Sequence, residues 1–277
     1  MMPQLAVSTW SVHRQLGITY VQGPDDSSGR LERTFGSGAL KLSDLPDELV
    51  RRQIHRVEIC HFHLASREPD YLAGVRDAFT RKGVAIQTLL IDKGDITHPT
   101  NRQRDIDWIG SWIDAAVLLG AERARVIAGK GTPTAGNLDK SVDALMLLGK
   151  HGSANGVRIV TENWFDLMAT PTQVHYVLDA LNGEVGFLAD TGNWDGPTKY
   201  DDLESIYARA ELSHTKCSFS SDHGMDREDY RLCLAAAVQA GYRGPHTLIF
   251  EGQGDEWRGV ELERDFVLDH YAQADHS

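Results

Sequence analysis

Apolar and polar positions along this 277-residue chain follow two rhythms, short β-branched runs and longer stretches with helical spacing. Four times a glycine marks the change from one to the other: RKG-VAIQTLLI at Gly83, LLG-AERARVIA at Gly120, ANG-VRIVTE at Gly156 and QAG-YRGPHTLIFE at Gly241. Glycine just past a last helical turn takes the left-handed conformation, and the apolar run after it reads as a buried parallel strand. Gly83 and Gly120 are 37 residues apart, Gly120 and Gly156 are 36. One βα unit of a closed barrel takes about that length of chain.

Reading outward from these anchors predicts eight strands, near 4–9, 55–60, 84–91, 123–128, 157–162, 185–190, 211–217 and 246–251. Helical spacing fills the intervals. Ser43 is expected to cap the first helix, with Asp47 in its opening turn. Asp107, Trp108, Trp112, Ala115, Ala116 and Leu119 form a helical stripe in the third, and Asp229 to Gln239 reads as the seventh. Strand and helix in strict alternation mean α/β, and eight repeats favour a closed barrel. The expectation is a single (β/α)8 TIM-barrel domain over residues 1–277. Residues 14–42, rich in Gly, Ser and Asp, break the rhythm. A loop this long in a compact domain is more often functional than idle, and this one is expected to fold over the barrel mouth.

Composition narrows the function classes. Apolar residues are 41% and charged residues 25%, the balance of a globular protein. No apolar run is long enough to cross a bilayer, and MMPQLAVSTW lacks the pattern of a signal peptide. Three cysteines, Cys60, Cys217 and Cys233, read as reduced thiols of a cytoplasmic protein. A net charge of −12 repels phosphate backbones, which argues against nucleic acid as a partner. A small-molecule substrate is expected, and a homo-oligomer is compatible with the sequence.

Chemistry in such a barrel gathers at the carboxyl ends of the strands. The fifth predicted strand ends in Thr161-Glu162-Asn163-Trp164 and the sixth in Ala189-Asp190-Thr191-Gly192. The seventh contains Ser213-His214-Thr215-Lys216, and the eighth ends in Phe250-Glu251-Gly252. Four successive strands thus bring Glu162, Asp190, His214 and Glu251 to one rim. Three carboxylates repel one another without a cation, so one divalent metal ion is expected among them. The donor set suits Mn²⁺, Mg²⁺ or Co²⁺ and could hold Zn²⁺, and ligand type alone does not choose among them; Mn²⁺ is the leading expectation.

The words VTEN at 160–163, LADTGNW at 188–194, SHTK at 213–216 and IFEG at 249–252 resemble the xylose-isomerase-like TIM barrels. That superfamily includes sugar and sugar-phosphate isomerases, ketose 3-epimerases, inosose and dehydroshikimate dehydratases, and endonuclease IV. The resemblance covers essentially the whole chain. It implies that Glu162, Asp190, His214 and Glu251 hold the metal, and that Glu162 and Glu251 exchange a substrate proton as in the epimerase branch. Such a metal polarises a carbonyl and stabilises an enediolate, so a nearby carboxylate can act as base. The chain also departs from the epimerase pattern. Asn193 stands where those enzymes place a histidine, and Ser220 where they place an arginine. Asn193 and the acidic net charge speak against the nuclease branch.

Further candidates flank these four. Lys216 lies two residues beyond His214 on the same face of its strand and joins the catalytic set, because an inward lysine needs a partner. Glu58, His61 and His63 around the second strand, Lys93 and Lys130 after the third and fourth, and Asn193 are expected to contact substrate. Trp10, Trp164 and Trp257 near strand ends would supply apolar walls, as would Trp194. Arg125 reads as a barrel-interior ion pair or a substrate anchor, and Ser221 to Gly224 as a loop that closes on the site. The leading expectation is a metal-dependent isomerase or epimerase of a small keto sugar or sugar acid. A lyase of the same family, a dehydratase or decarboxylase, is the first rival, and a non-catalytic sugar-binding barrel the second.

Overall fold

A computed structural model describes residues 2–220 and 224–274. Eight parallel strands close into a barrel: β1 (Leu5–Ser8), β4 (Arg56–Cys60), β5 (Ala85–Ile91), β6 (Arg123–Val126), β7 (Arg158–Glu162), β8 (Gly186–Asp190), β9 (Leu212–Lys216) and β10 (His246–Ile249). Each expected strand is present within a few residues of its predicted place. The chain belongs to the (β/α)8 class because consecutive barrel strands pair in sequence order and β10 closes on β1, with Leu5 opposite His246.

Helices fill the intervals: α1 (His13–Leu16), α2 (Leu45–Arg51), α3 (Pro69–Thr80), α4 (Arg102–Leu119), α5 (Ala135–Ala154), α6 (Pro171–Leu181), α7 (Lys199–Tyr207), α8 (Arg227–Gln239) and α9 (Glu256–Ala274). Local chemistry starts several of them. Thr134 accepts from the Asn137 amide at the head of α5, Thr170 and Gln173 form a capping box on α6, and Asp226 accepts from the Asp229 amide on α8. Gly83, Gly120, Gly156 and Gly241 all take positive φ, as the glycine punctuation requires. No helix among the described residues is long and apolar enough to cross a membrane.

Three expectations need correction. Ser43 is not the first helix's cap: it sits in a 3-10 turn, Asp44 takes the cap position, and the Ser43 hydroxyl bonds Asp44 Oδ1 at 3.2 Å instead. Asp47 does lie in the first turn. In α4, Trp108, Trp112, Ala115, Ala116 and Leu119 are buried, but Asp107 faces solvent and accepts from Gln103. The buried acid of that helix is Asp105, which takes the Asp95 amide at 2.7 Å. Finally, the stretch 14–42 holds a small antiparallel ribbon of β2 (Thr19–Tyr20) and β3 (Leu31–Glu32) that period-two reading missed because each strand has only two residues.

That excursion is anchored on one side of the barrel. The Gln22 carbonyl meets His61 Nε2 at 3.0 Å, Trp108 donates to Ser27 Oγ at 3.0 Å, and Arg104 pairs with Asp25. The main core lies between sheet and helices and includes fully buried Trp112, Phe79 and Phe187. Val160, Leu188 and Leu212 form a separate buried cluster from three adjacent strands.

Candidate metal centre at the barrel mouth

Side chains two residues apart on a strand share a face. Val160, Leu188 and Leu212 cluster together, so Glu162, Asp190 and His214 two residues on emerge together above them. Register reinforces the arrangement: Asp190 stands opposite His214 on the neighbouring strand. Asn163 fixes the end of β8 from both sides, donating through Nδ2 to the Asp190 carbonyl at 3.0 Å and accepting the Asp190 amide at 2.7 Å. The Gly192 amide then donates to Asp190 Oδ1 at 2.6 Å, leaving Oδ2 toward the cluster.

One ligand atom each from Glu162, Asp190 and His214 falls within 4.8 Å of the others, and all three residues are buried. His214 Nδ1 is 3.7 Å from Glu162 Oε1 and 3.5 Å from Asp190 Oδ2. Its other nitrogen, Nε2, donates to Glu58 Oε2 at 2.6 Å. Glu58 is 0% exposed inside the barrel and also accepts from Gln87 Nε2 and Thr88 Oγ1, both at 2.9 Å. A ligating histidine held through its far nitrogen by a carboxylate has a fixed ring orientation and a more basic ligand atom.

Electrostatics explains why a cation suits this place. Burial penalises charge on His214, but Glu58, then Asp190 and Glu162, hold its pKa well above the usual imidazole value. Burial likewise opposes the Glu58 and Asp190 carboxylates, yet His214 keeps Glu58 low and Lys216, with His214, keeps Asp190 well below the ordinary range. Protonated groups thus supply the positive charge that these acids require. Glu162 Oε2 is buried without a hydrogen bond and faces the Arg125 guanidinium, whose Nε stands 3.2 Å away, which leaves Oε1 as the oxygen turned to the cluster. Two carboxylates and one imidazole, each offering a ligand atom within 4.8 Å of the others, fit a divalent cation.

Glu251 occupies a different position. Its side chain is 43% exposed, Oε1 accepts from Trp10 Nε1 at 2.8 Å, and Lys216 Nζ lies 3.6 Å from the same oxygen. Lys216 is equally far, 3.6 Å, from Asp190 Oδ2, so it bridges the buried acid and the exposed one. Burial disfavours its charge, but Asp190, then Glu251 and Glu162, raise its pKa and keep it cationic.

A cavity of about 220 Å³ opens over this group, lined by Trp10, Phe62, Trp164, Asn193 and Ile249 as well as by the charged residues. Asn193 Nδ2 donates to Glu162 Oε1 at 2.9 Å. Arg125 also lines it, paired with Asp92 and stacked against Trp164, so its ion-pair role is visible. Asp92 and Phe62 were not singled out in the sequence. Asp92 directly follows the strand AIQTLLI, and the strand-end rule that found Glu162 would have found it.

Other expected contacts sit elsewhere. Glu58 lies beneath the cavity floor, bonded to the lining residue His214, and His61 is buried between Gln22 and Asp92. His63 bonds Thr9 Oγ1 at 2.9 Å, and burial lowers its pKa to about 3. Lys93 is exposed beside the 14–42 excursion, Lys130 reaches over the Phe165 ring, and Trp257 is stacked under Arg52. Trp194 is buried and donates to the Met168 carbonyl. Of the stretch Ser221 to Gly224, residues 221–223 lie outside the described residues, and Ser220 is exposed at its edge.

The sequence profile of the xylose isomerase-like TIM barrels matches residues 46–266. Among curated proteins, none matches the chain by sequence. Among solved structures, a xylose isomerase-like TIM barrel protein from Mycobacterium smegmatis in complex with magnesium is similar, with 15% identity and a TM-score of 0.68 over 99% of this chain and 98% of that one. D-allulose 3-epimerase from Methylomonas sp. is similar over 97% and 98%, at 15% identity and TM-score 0.70. An L-ribulose 3-epimerase is similar over 99% and 96%, at 13% identity and TM-score 0.73. At such identities the likeness is one of fold.

Proposed function

The chain belongs to the xylose isomerase-like TIM barrel family, and from that premise we propose that it is a divalent-metal-dependent isomerase or epimerase of a small keto sugar or sugar acid. The observation that carries this reading is the buried trio Glu162, Asp190 and His214, gathered within 4.8 Å at the floor of a cavity. The epimerases among the similar folds add support. Glu162, Asp190 and His214 would hold the ion, with Glu251 as the fourth ligand. The oxygen-rich set favours Mn²⁺ or Mg²⁺ over softer ions. A divalent cation held by these residues would supply Lewis acidity to a bound carbonyl and make the adjacent C–H more acidic.

The chain's own residues do the rest. Glu162 and Glu251 line the same cavity and are the two carboxylates that take and return the proton. Trp10 fixes Glu251 through its indole N–H, and Asn193 fixes Glu162, so both bases are oriented before substrate arrives. Lys216 stays charged beside Glu251 and is placed to donate hydrogen bonds to an oxyanion. Trp10, Phe62, Trp164 and Ile249 give apolar faces for the C–H side of a sugar and thin the water around the bases.

Incubation of the Mn²⁺-loaded protein with neutral and acidic keto sugars in D₂O tests the assignment. Incorporation of one deuterium at an epimerised or isomerised carbon, with the carbon skeleton and oxygens intact, is expected. Loss of water or CO₂ from the substrate would move the enzyme to the lyases. A loaded protein that binds a sugar and never exchanges its proton would make it a binding barrel.

A further inference from the structure

We propose that Arg125 is a positioning residue for Glu162, held in turn by Asp92 and His61, so that the 14–42 excursion is tied to the proposed metal centre by one chain of contacts. This rests on the reading of Glu162 as a metal ligand given above. Arg125 rises from β6 with 3% of its side chain exposed and points to the same floor as Glu162. Its Nη2 donates to Asp92 Oδ1, and its Nε stands 3.2 Å from Glu162 Oε2. The guanidinium carbon lies 5.0 Å from the Trp164 ring centroid, a cation–π contact that helps hold it in place.

Glu162 has two oxygens and two environments. Oε1 accepts from Asn193 and faces His214 Nδ1 at 3.7 Å, whereas Oε2 is turned to Arg125 and has no hydrogen-bond partner. The guanidinium therefore sets the rotation of the carboxylate and decides which oxygen faces the cluster. Behind it, Asp92 Oδ2 is 3.7 Å from His61 Nδ1, and the Asp92 amide donates to that nitrogen at 3.3 Å. With Nδ1 accepting, the ring hydrogen is on Nε2, which donates to the Gln22 carbonyl at 3.0 Å. Gln22 and His61 thus reach Asp92 through its backbone amide, and the half-buried Asp92 side chain continues the line of contacts to Arg125 and Glu162. A planar fork serving two carboxylates is a geometry that lysine, a point charge, does not reproduce.

Metal affinity and the visible spectrum of the Co²⁺-loaded protein are the readouts, alongside thermal melting to confirm folding. Arg125→Met and Arg125→Lys are both expected to weaken Mn²⁺ binding by about tenfold to a hundredfold and to alter the cobalt bands, as loss of a ligand's supporting partner does. Asp92→Asn keeps shape and leaves Arg125 in place, and should give the same spectral change at smaller size. His61→Phe, which preserves packing against Trp108 and Trp112, should weaken binding about threefold, the size of coupling through an outer contact. If Arg125→Lys bound Mn²⁺ as the natural protein does, charge alone would be at work and the positioning role would be overturned. Wild-type cobalt bands in Asp92→Asn would overturn it equally. Glu162→Gln separates the two levels: if it loses the metal while the Arg125 variants keep it, the metal centre stands and the positioning role falls. If Glu162→Gln keeps the metal, both fall.

Discussion

Glu58→Gln perturbs the centre from beneath, without touching the cavity wall. The carboxylate is fully buried, and each of its oxygens already faces donors: His214 Nε2 at 2.6 Å on one, Gln87 Nε2 and Thr88 Oγ1 at 2.9 Å on the other. A glutamine keeps the shape but brings an NH₂ group. If its oxygen stays with Gln87 and Thr88, the NH₂ confronts His214 Nε2, which must then accept. The neutral ring of the variant then keeps its one hydrogen on Nδ1, the atom that faces Glu162 and Asp190, instead of on Nε2. The substitution thus places a proton on the atom that the ion needs. Losing a hydrogen bond to a charged group costs about 1.5–3 kcal/mol. Loss of a ligating histidine's carboxylate partner weakens metal affinity by about tenfold to a hundredfold, or ~1.4–2.7 kcal/mol, so the two estimates agree. A second signal has its own sign. In the natural protein the carboxylates raise the His214 pKa well above the ordinary value, so the ring is protonated near neutral pH and must shed a proton when an ion binds. Without the Glu58 charge that pKa falls, and fewer protons should be released. Titration calorimetry with Mn²⁺ at pH 7, in two buffers of different ionisation enthalpy, measures both quantities. An unchanged dissociation constant together with an unchanged proton count would refute the reasoning.

Two further perturbations probe separate parts. A methyl group on Gly192 would collide with the Lys216 side chain, lying 2.8 Å from its Cγ; Gly192→Ala should therefore push Lys216 from between Asp190 and Glu251. A fall in kcat of about tenfold with a nearly unchanged melting temperature is expected, the size of one lost charged hydrogen bond, and an unaltered kcat would show that the ammonium is not needed there. His246 is buried against Tyr271, and burial, with His270 nearby, lowers its pKa from 6.5 to about 3. The unfolded chain therefore binds this proton first as pH falls, and stability is lost from about pH 6.5 downward, by ~2 kcal/mol at pH 5. Urea unfolding at pH 7.5 and pH 5.0 should show His246→Gln losing less stability on acidification than the natural protein by about that amount; equal losses would mean that His246 is not buried neutral.

Most of the barrel was legible because its signals are local and repeated. Glycine after a helix has a backbone reason that travels with the residue, and all four such glycines do take positive φ. Rim acids were legible through phase alone: period two on a strand places Glu162 above Val160 and Asp190 above Leu188, and nothing beyond sequence is needed to see it. Partnerships across the barrel were not. Glu58 and His214 lie 156 residues apart, and no spacing rule says that one will hold the other. Glu58 was expected to touch substrate because, with His61 and His63, it was placed at the mouth after the second strand, whereas Cys60, two residues later on the same face, is the residue that lines the cavity. His61 and His63 illustrate the same limit. They follow β4 where substrate contacts are common, but a 3-10 turn at His61–His63 tucks both rings inward. The Ser43 reading failed for a smaller reason: a 3-10 turn preceding α2 moved the helix start, which propensity does not resolve.

Charge at the cavity also speaks to the choice among sugars. Five carboxylates, Glu58, Asp92, Glu162, Asp190 and Glu251, stand at or beneath it, against the cations Arg125 and Lys216. Both cations are already engaged, Arg125 by Asp92 and Glu162, Lys216 by Asp190 and Glu251. A divalent ion brings the balance to one negative charge when His214 has given up its proton. Among the described residues lining or underlying the cavity, no surplus positive charge is left to draw in a carboxylate or a phosphate, and desolvating such a group beside these acids would be costly. An uncharged keto sugar should therefore have a kcat/KM at least about tenfold above that of its phosphorylated or carboxylate counterpart, equivalent to ~1.4 kcal/mol of discrimination. Added salt should narrow the gap where repulsion acts over distance and leave it unchanged where desolvation dominates. Steady-state kinetics on matched pairs of substrates at two ionic strengths reads this directly. A preference for the charged member would mean that a cation outside the five-acid neighbourhood reaches the substrate, and the charge argument would have to be abandoned.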